Sequence, residues 1–302
     1  MDRVVVANAK AGGLAGQDAK AKYVYLDTLF KDAGIPAEIR IVHPAEMTET
    51  LNNLKQSGIQ TLFVGGGDGT LGSAAGILAD SDVTMGMLPL GTFNLFTKDL
   101  GIPSALPEAV AALAQGETKV IDIGEVNGQV FLNKVVMGFY PHAIEQRKML
   151  QAQWGLPKRM ASIYALLTSI WRSPTLELHI KSDSGEETLL KTPFVMLGNN
   201  RYEAQPLDFP KRNAFDEGHL SVYYSDEAHD RLTLFMIGLR ALLGRSFTET
   251  PELEKIWTPA IEITKKRRHI KLAIDGELIQ MSPPLNIQVR PKALKTIIPK
   301  LG

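Results

Sequence analysis

Thr61-Leu-Phe-Val-Gly-Gly-Gly-Asp-Gly-Thr70 decides how the N-terminal part of this 302-residue chain must fold. An apolar tetrad suited to a buried strand runs directly into glycines that surround one carboxylate. The following Thr70-Leu-Gly-Ser-Ala-Ala-Gly-Ile-Leu78 reads as a helix. Free N–H groups and the positive end of that helix converge on the turn, which makes it an anion cradle. Gly65, Gly66, Gly67 and Gly69 let the backbone take positive φ angles and let a ligand approach with no Cβ in the way. A phosphate there would face Asp68, and two anions in contact are tolerable only if a cation bridges them or the carboxylate takes a proton. Phosphoryl transfer is the chemistry this stretch predicts. A plain turn needs one or two glycines, each costing about 0.5–1 kcal/mol of backbone entropy. The P-loop is excluded, because no lysine occurs between Gln56 and Lys98.

Outward from this turn, the first 120 or so residues alternate strand and helix patterns. Arg3 to Ala7, Ala37 to Val42, Gln60 to Val64 and Val83 to Leu88 read as strands, and Asp18 to Ala33 and Ala45 to Gln56 as helices, the first stopping at Gly34. That rhythm implies an N-terminal doubly wound α/β domain, whose ligands bind beyond the carboxyl ends of the strands. After Lys119 the pattern turns to alternating segments. Ile121 to Val126 and Gln129 to Val136 flank Asn127-Gly128, a type I′ hairpin cue. Further strands are expected over Thr175–Lys181, Glu187–Leu197, Leu220–Tyr224, Ile256–Thr264, Ile270–Ile274 and Leu285–Arg290, with helical insertions at about Ala143–Trp171 and Asp230–Leu243. The expected architecture is α/β: residues 1–122 a nucleotide-binding domain, residues 123–302 a β-sandwich with helical insertions, and a C-terminal tail returning to the first domain.

Composition narrows the classes. Lys plus Arg and Asp plus Glu each number 33, so no net field holds nucleic acid or an anionic membrane at long range. The absence of cysteine removes disulfide and thiolate chemistry and suits a reducing cytosol. Met1-Asp-Arg-Val-Val-Val-Ala7 lacks a signal-peptide layout, and no apolar run approaches the roughly 18 residues of a membrane span. His43, His142, His179 and His229 have no metal-ligand spacing, so zinc is not expected.

Two further loops follow predicted strands: Asn8-Ala-Lys-Ala-Gly-Gly13 after the first, and Leu88-Pro-Leu-Gly-Thr-Phe-Asn94 after the fourth. Three loops at three strand ends read together as one nucleotide site. With Ile274-Asp-Gly-Glu277 near the end, they occur in the order seen in the diacylglycerol kinase catalytic superfamily, and the whole chain resembles its bacterial soluble lipid kinases. The Gly-Gly-Gly-Asp-Gly-Thr element is shared with NAD kinases and resembles phosphofructokinases, whereas Leu-Pro-Leu-Gly-Thr-x-Asn points to lipid kinases. The resemblance implies an NAD kinase-like first domain with ATP in an interdomain cleft. Its site would be formed by Asn8, Val42, Gly65, Gly66, Gly67, Asp68, Gly69, Thr70, Leu71, Gly72, Ser73, Thr92 and Asn94. It implies that Asp68 organises phosphate and Mg²⁺, that Asp122 helps hold a water-linked magnesium, and that Glu277 is the base that deprotonates the lipid hydroxyl. A separate structural Mg²⁺ would fall on Ala214, Glu217 and His219.

The chain departs from many relatives at Leu95, where an acidic residue often follows the asparagine, and at Gly72 and Ser73, where Asn-Glu is common. The expected partner is a lipid alcohol, met in transient contact at the inner leaflet by a cytoplasmic protein; a homodimer is compatible with the sequence. The segment Lys158–Trp171 places Met160, Ile163, Leu167 and Ile170 at helical spacing, as a core helix or as an acyl-chain or bilayer contact. Lys265-Lys-Arg-Arg-His269 reads as a solvated turn or a headgroup contact. Outside lipid kinases, an NAD kinase and a non-catalytic nucleotide-binding regulator are the competing readings.

Overall fold

Val4, Val5, Val6 and Ala7 are all buried, as a strand covered on both faces requires, and they form the middle of β1 (Arg3–Asn8). The structure is a computed structural model that describes residues 2–14, 16, 18–172, 175–182, 185, 187–202, 212, 214–225, 253–265 and 268–300. It divides into two units, residues 1–123 with 290–302, and residues 124–289.

In the first unit β1 is followed by α1 (Ala19–Asp32), β2 (Glu38–Val42), α2 (Met47–Gln56), β3 (Thr61–Gly66), α3 (Asp68–Leu78), β4 (Thr84–Pro89), α4 (Leu95–Asp99) and α5 (Leu106–Ala114). Asp18 caps α1 by accepting the Ala21 N–H at 2.7 Å. At the other end Gly34 takes φ 74°, and the Gly34 and Ile35 amides return to Lys31 and Phe30 as in a Schellman stop. The strands run parallel in the order β2-β1-β3-β4. The register pairs Ala7 with Gly65 and Gly66 with Pro89, so the carboxyl ends of β1, β3 and β4 lie side by side. β5 (Glu117–Val126) leads the chain into the second unit.

The second unit continues with β6 (Gln129–Phe131), β7 (Lys134–Gly138), α6 (Phe139–Trp154), α7 (Lys158–Arg172), β8 (Leu176–Ser182), β9 (Glu187–Thr192), β10 (Phe194–Asn199) and β11 (Leu220–Ser225). After it come β12 (Leu253–Thr258), β13 (Ala260–Thr264), β14 (Ile270–Ile274), β15 (Glu277–Met281) and β16 (Leu285–Ile298). One sheet runs β16-β13-β8-β9 with the β5–β6 hairpin, and the other runs antiparallel as β12-β11-β10-β7-β14-β15. Their inner faces share one apolar core, including Phe131, Met137, Leu178, Leu197, Ile263 and Leu272. On the outer face of the second sheet, Ile144, Leu166 and Ile170 of the helical pair pack with Met196 and Tyr223. The last part of β16 returns to the first unit, where Thr296 pairs in parallel with Met85 of β4.

Three expected strands are each two strands, because the chain changes sheet within them. Glu187–Leu197 breaks at Pro193 and Ile256–Thr264 at Pro259, where proline has no N–H for the ladder. Both corners repeat one device: the hydroxyl of the residue before proline bonds the carbonyl of the residue after it, Thr192 to Phe194 and Thr258 to Ala260, each at 2.8 Å. Gln129–Val136 breaks at Leu132-Asn133. The first helical insertion is two helices, α6 and α7, joined through Gly155 in the left-handed region. The stripe expected on α7 is also shifted: Met160 is 60% exposed and Ile163 is exposed, while Ala161, Ala165, Leu166 and Ile170 face inward. The helix expected at Asp230–Leu243 lies outside the described residues, as do residues 266–267 of the basic turn. Among the described residues, no helix is long and apolar enough to cross a membrane.

Candidate functional site

Three loops meet at the carboxyl ends of the first unit's strands, and they are tied by backbone hydrogen bonds. Leu90 N–H donates to Gly66 O at 3.1 Å and Gly13 N–H to Leu90 O at 2.9 Å. Gly67 caps α3 in extended conformation, with φ −88°. The first intrahelical bond is Leu71 N–H to Gly67 O, so the amides of Asp68, Gly69 and Thr70 precede it and point out of the helix end. None of Gly65, Gly66, Gly67 and Gly69 takes a positive φ, so the backbone freedom that glycine offers there goes unused. What this turn uses is the missing Cβ. A Cβ on Gly65 would stand 2.6 Å from Leu90, one on Gly66 2.5 Å from Thr70, and one on Gly91 2.4 Å from the Gly67 Cα.

The polar side chains of these loops divide into braces and open groups. Asn94, left-handed at φ 51°, accepts the Gly91 N–H at 2.8 Å and donates to the carbonyls of Pro89 and Gly91. Its amide is therefore spent on the loop itself. Asn8 accepts the Lys10 N–H at 2.9 Å and reaches toward the Thr70 hydroxyl at 3.4 Å. Val42 is buried and contributes its carbonyl, which holds the Ala9 N–H at 2.8 Å. Leu71 and Gly72 are buried, so only their backbone could meet a ligand, whereas Thr92 and Ser73 are exposed.

Asp68 holds the Phe96 N–H on Oδ1 at 3.1 Å. It thereby caps α4, whose own N-cap residue, Asn94, makes no side-chain bond to the helix amides. Its other oxygen remains for a ligand. Asp122, on β5, is 1% exposed and accepts the N–H of Lys292 at 2.8 Å, a non-glycine residue at φ 52°. Each carboxylate thus accepts a backbone N–H, and Leu95 adds no third acid. Among the described residues no group of three or more His, Asp or Glu is placed to hold a metal ion.

In the second unit, Asp275-Gly276 forms the turn between β14 and β15, with φ 47° and 88° and Ile274 paired to Glu277. Sequence reading missed what Asp275 does. Its carboxylate collects three successive backbone N–H groups, Leu132 at 2.8 Å and Asn133 and Lys134 at 2.9 Å. The bond set ties the turn to the corner where the chain changes sheet. Glu277 follows as the exposed first residue of β15. Near the same sheet, burial together with Lys271 keeps the His142 imidazole below its usual pKa, and burial raises the Tyr140 phenol. In the Ala214–His219 loop, the Glu217 carboxylate accepts the Arg201 N–H at 2.9 Å and the His219 carbonyl accepts the Asn200 N–H at 3.0 Å.

Residues 2–126 match the family model of the diacylglycerol kinase catalytic domain. A Pseudomonas aeruginosa protein named "Probable lipid kinase YegS-like" is 28% identical over 275 residues, covering 89% of this chain and 87% of that protein. A Synechocystis protein, sll0036, is 26% identical, covering 87% of this chain, which spans 61% of that protein's length. A solved structure of a candidate diacylglycerol kinase from Bacillus anthracis str. Sterne superposes with a TM-score of 0.76 at 21% identity, covering 99% of this chain and 97% of that one.

Proposed function

We propose that this chain, whose residues 2–126 match the diacylglycerol kinase catalytic domain and which aligns over most of its length with a probable lipid kinase, is an ATP-dependent lipid kinase that moves the γ-phosphate of ATP, with Mg²⁺, to the hydroxyl of a lipid alcohol. The observation that carries this reading is the α3 N-terminus, where Gly91 and Gly67 press two loops together beside outward-pointing amides and Asp68. Backbone N–H groups there suit the phosphates, and the exposed Thr92 hydroxyl is a further donor. Asp68 would hold magnesium together with water and substrate phosphate oxygens, and Asp122 would help through water, since that ion is commonly bound by one or two carboxylates and keeps several waters. The ion would neutralise charge on the phosphates. The lipid hydroxyl attacks the γ-phosphorus as the bond to the ADP oxygen breaks, and Glu277 takes the hydroxyl proton.

A lipid acceptor is supported by the helical pair α6–α7. Trp154 is 74% exposed, and Met149, Met160, Ile163 and Tyr164 are exposed with it. Residues 139–172 carry Arg147, Lys148, Lys158, Arg159 and Arg172 against one carboxylate, Glu145, whose Oε2 is 2.7 Å from the Lys271 ammonium. Aromatic and basic residues together suit transient contact with an anionic bilayer surface, as a protein working at the inner leaflet would make.

The test is transfer from γ-labelled ATP to a panel of lipid extracts, with Asp68→Ala as control. Label in a lipid, lost with the variant, is expected. Label that persists with the variant would mean a contaminating kinase, stimulation by NAD instead of lipid would favour an NAD kinase, and ATP binding without transfer to any alcohol would favour a regulator.

A further inference from the structure

Resting on the nucleotide reading above, we propose that Lys22 is the phosphate-binding cation of this site, supplied by α1 in place of the lysine that the glycine-rich turn lacks. Lys22 is 8% exposed, on the second turn of α1. Its Nζ donates to the carbonyl of Ala9 at 2.7 Å. Ala9 lies in the first of the three strand-end loops, next to Asn8, whose amide reaches Thr70 in the first turn of α3. The loop carbonyl is itself held in place, since the Ala9 N–H is bonded to Val42 O at 2.8 Å. The ammonium therefore sits on a fixed part of the loop that borders the anion cradle.

An ammonium carries three donors and a full charge. Among the described residues, no carboxylate stands within ion-pair distance of Lys22, and Ala9 O is the one acceptor that its Nζ meets. Burying a charge beside a single neutral partner is costly, and the cost is relieved when an anion arrives. The cradle that this loop borders selects anions but contains a carboxylate of its own, Asp68, so a triphosphate needs positive charge there that does not come from helix amides alone. Lys10, the cation of the first loop itself, is exposed, and solvent already compensates it. Lys22 is thus a point charge of the kind that lysine offers phosphates in other nucleotide folds, brought from a helix 40 or so residues before the glycine turn.

The competing explanation is that Lys22 only tethers α1 to the loop. The two are separated by titrating the full-length wild type, Lys22→Met and Lys22→Arg with ATP, ADP and adenosine in EDTA, so that no metal shares the phosphate. Lys22→Met should weaken ATP and ADP roughly tenfold or more and leave adenosine unchanged, and Lys22→Arg should restore most of the loss. ATP binding by Lys22→Met equal to wild type, or an equal loss of ATP and adenosine, would overturn the proposal. A wild type that binds adenosine and ATP equally would do the same, whereas a wild type that binds neither sinks the nucleotide reading itself. Should Lys22→Met fail to fold, the wild type still decides the matter. ATP, but not adenosine, should slow acetylation of Lys22 by an amine-reactive ester about fivefold or more relative to Lys10, and unchanged reactivity would refute the assignment.

Discussion

Gly91→Ala offers the sharpest check on the geometry of the site. A Cβ built on Gly91 stands 2.4 Å from the Gly67 Cα and 2.7 Å from Asn94 Oδ1. Ordinary contact begins near 3.4 Å, so the two loops must part by about 1 Å, and the nearest neighbour is backbone that cannot rotate away. Overpacking of this kind costs about 1–3 kcal/mol, which in a unit of this size lowers the melting temperature by roughly 2–10 °C. The chemical cost is larger, since a 1 Å misplacement of groups around a reacting phosphate can cost about 10²-fold in rate. Gly12→Ala is the internal control, because a Cβ there meets nothing within 4 Å. It should leave melting unchanged or raise it slightly. Differential scanning calorimetry and the ATP-dependent lipid assay read both variants. Equal melting temperature and activity for Gly91→Ala and Gly12→Ala would refute the reasoning that the loops are held in contact by missing side chains.

Glu277→Gln should lower turnover about 10²- to 10⁴-fold with ATP affinity retained; lost ATP affinity at normal turnover would count against Glu277 as the proton acceptor. Asp275→Ala strands three backbone N–H groups of Leu132, Asn133 and Lys134 and should destabilise the protein by about 2–4 kcal/mol, read as a fall in the denaturant midpoint; an unchanged midpoint would show that the clamp is replaced by water. Trp154→Asp combined with Met160→Asp should reduce sedimentation with phosphatidylglycerol-rich vesicles about tenfold or more, without changing the melting temperature, and equal sedimentation would remove α6–α7 as the lipid contact.

The sequence by itself determined those parts whose cause is local. Val4 to Ala7 can be read as a buried strand because four apolar residues in succession suit two covered faces. Gly34 and Asn127-Gly128 can be read as a helix stop and a hairpin because the positive φ angles they adopt are favourable to few other residues. The three glycine-bearing loops could be grouped from their order along the chain, since parallel strands with right-handed crossovers put their ends side by side.

Only the tertiary structure decided the rest, where the cause is a partner far along the chain. Pro193 and Pro259 mark places where a ladder lacks an N–H, but nothing in the pattern said that the strand after each one joins the other sheet. Asp275 read as a turn residue until Leu132, 143 positions away, was brought to its carboxylate. The inward face of α7 depended on which sheet it covers, and Met160 could be assigned neither to core nor to surface from spacing alone. In the glycine turn itself, composition gave an anion cradle and one carboxylate. Packing showed that the glycines are needed for contact between two loops, not for positive φ, that Asp68 caps α4, and that a buried lysine from α1 stands against the first loop. Each of those depends on distance in space, which a one-dimensional pattern carries only where neighbours in sequence are also neighbours in the fold.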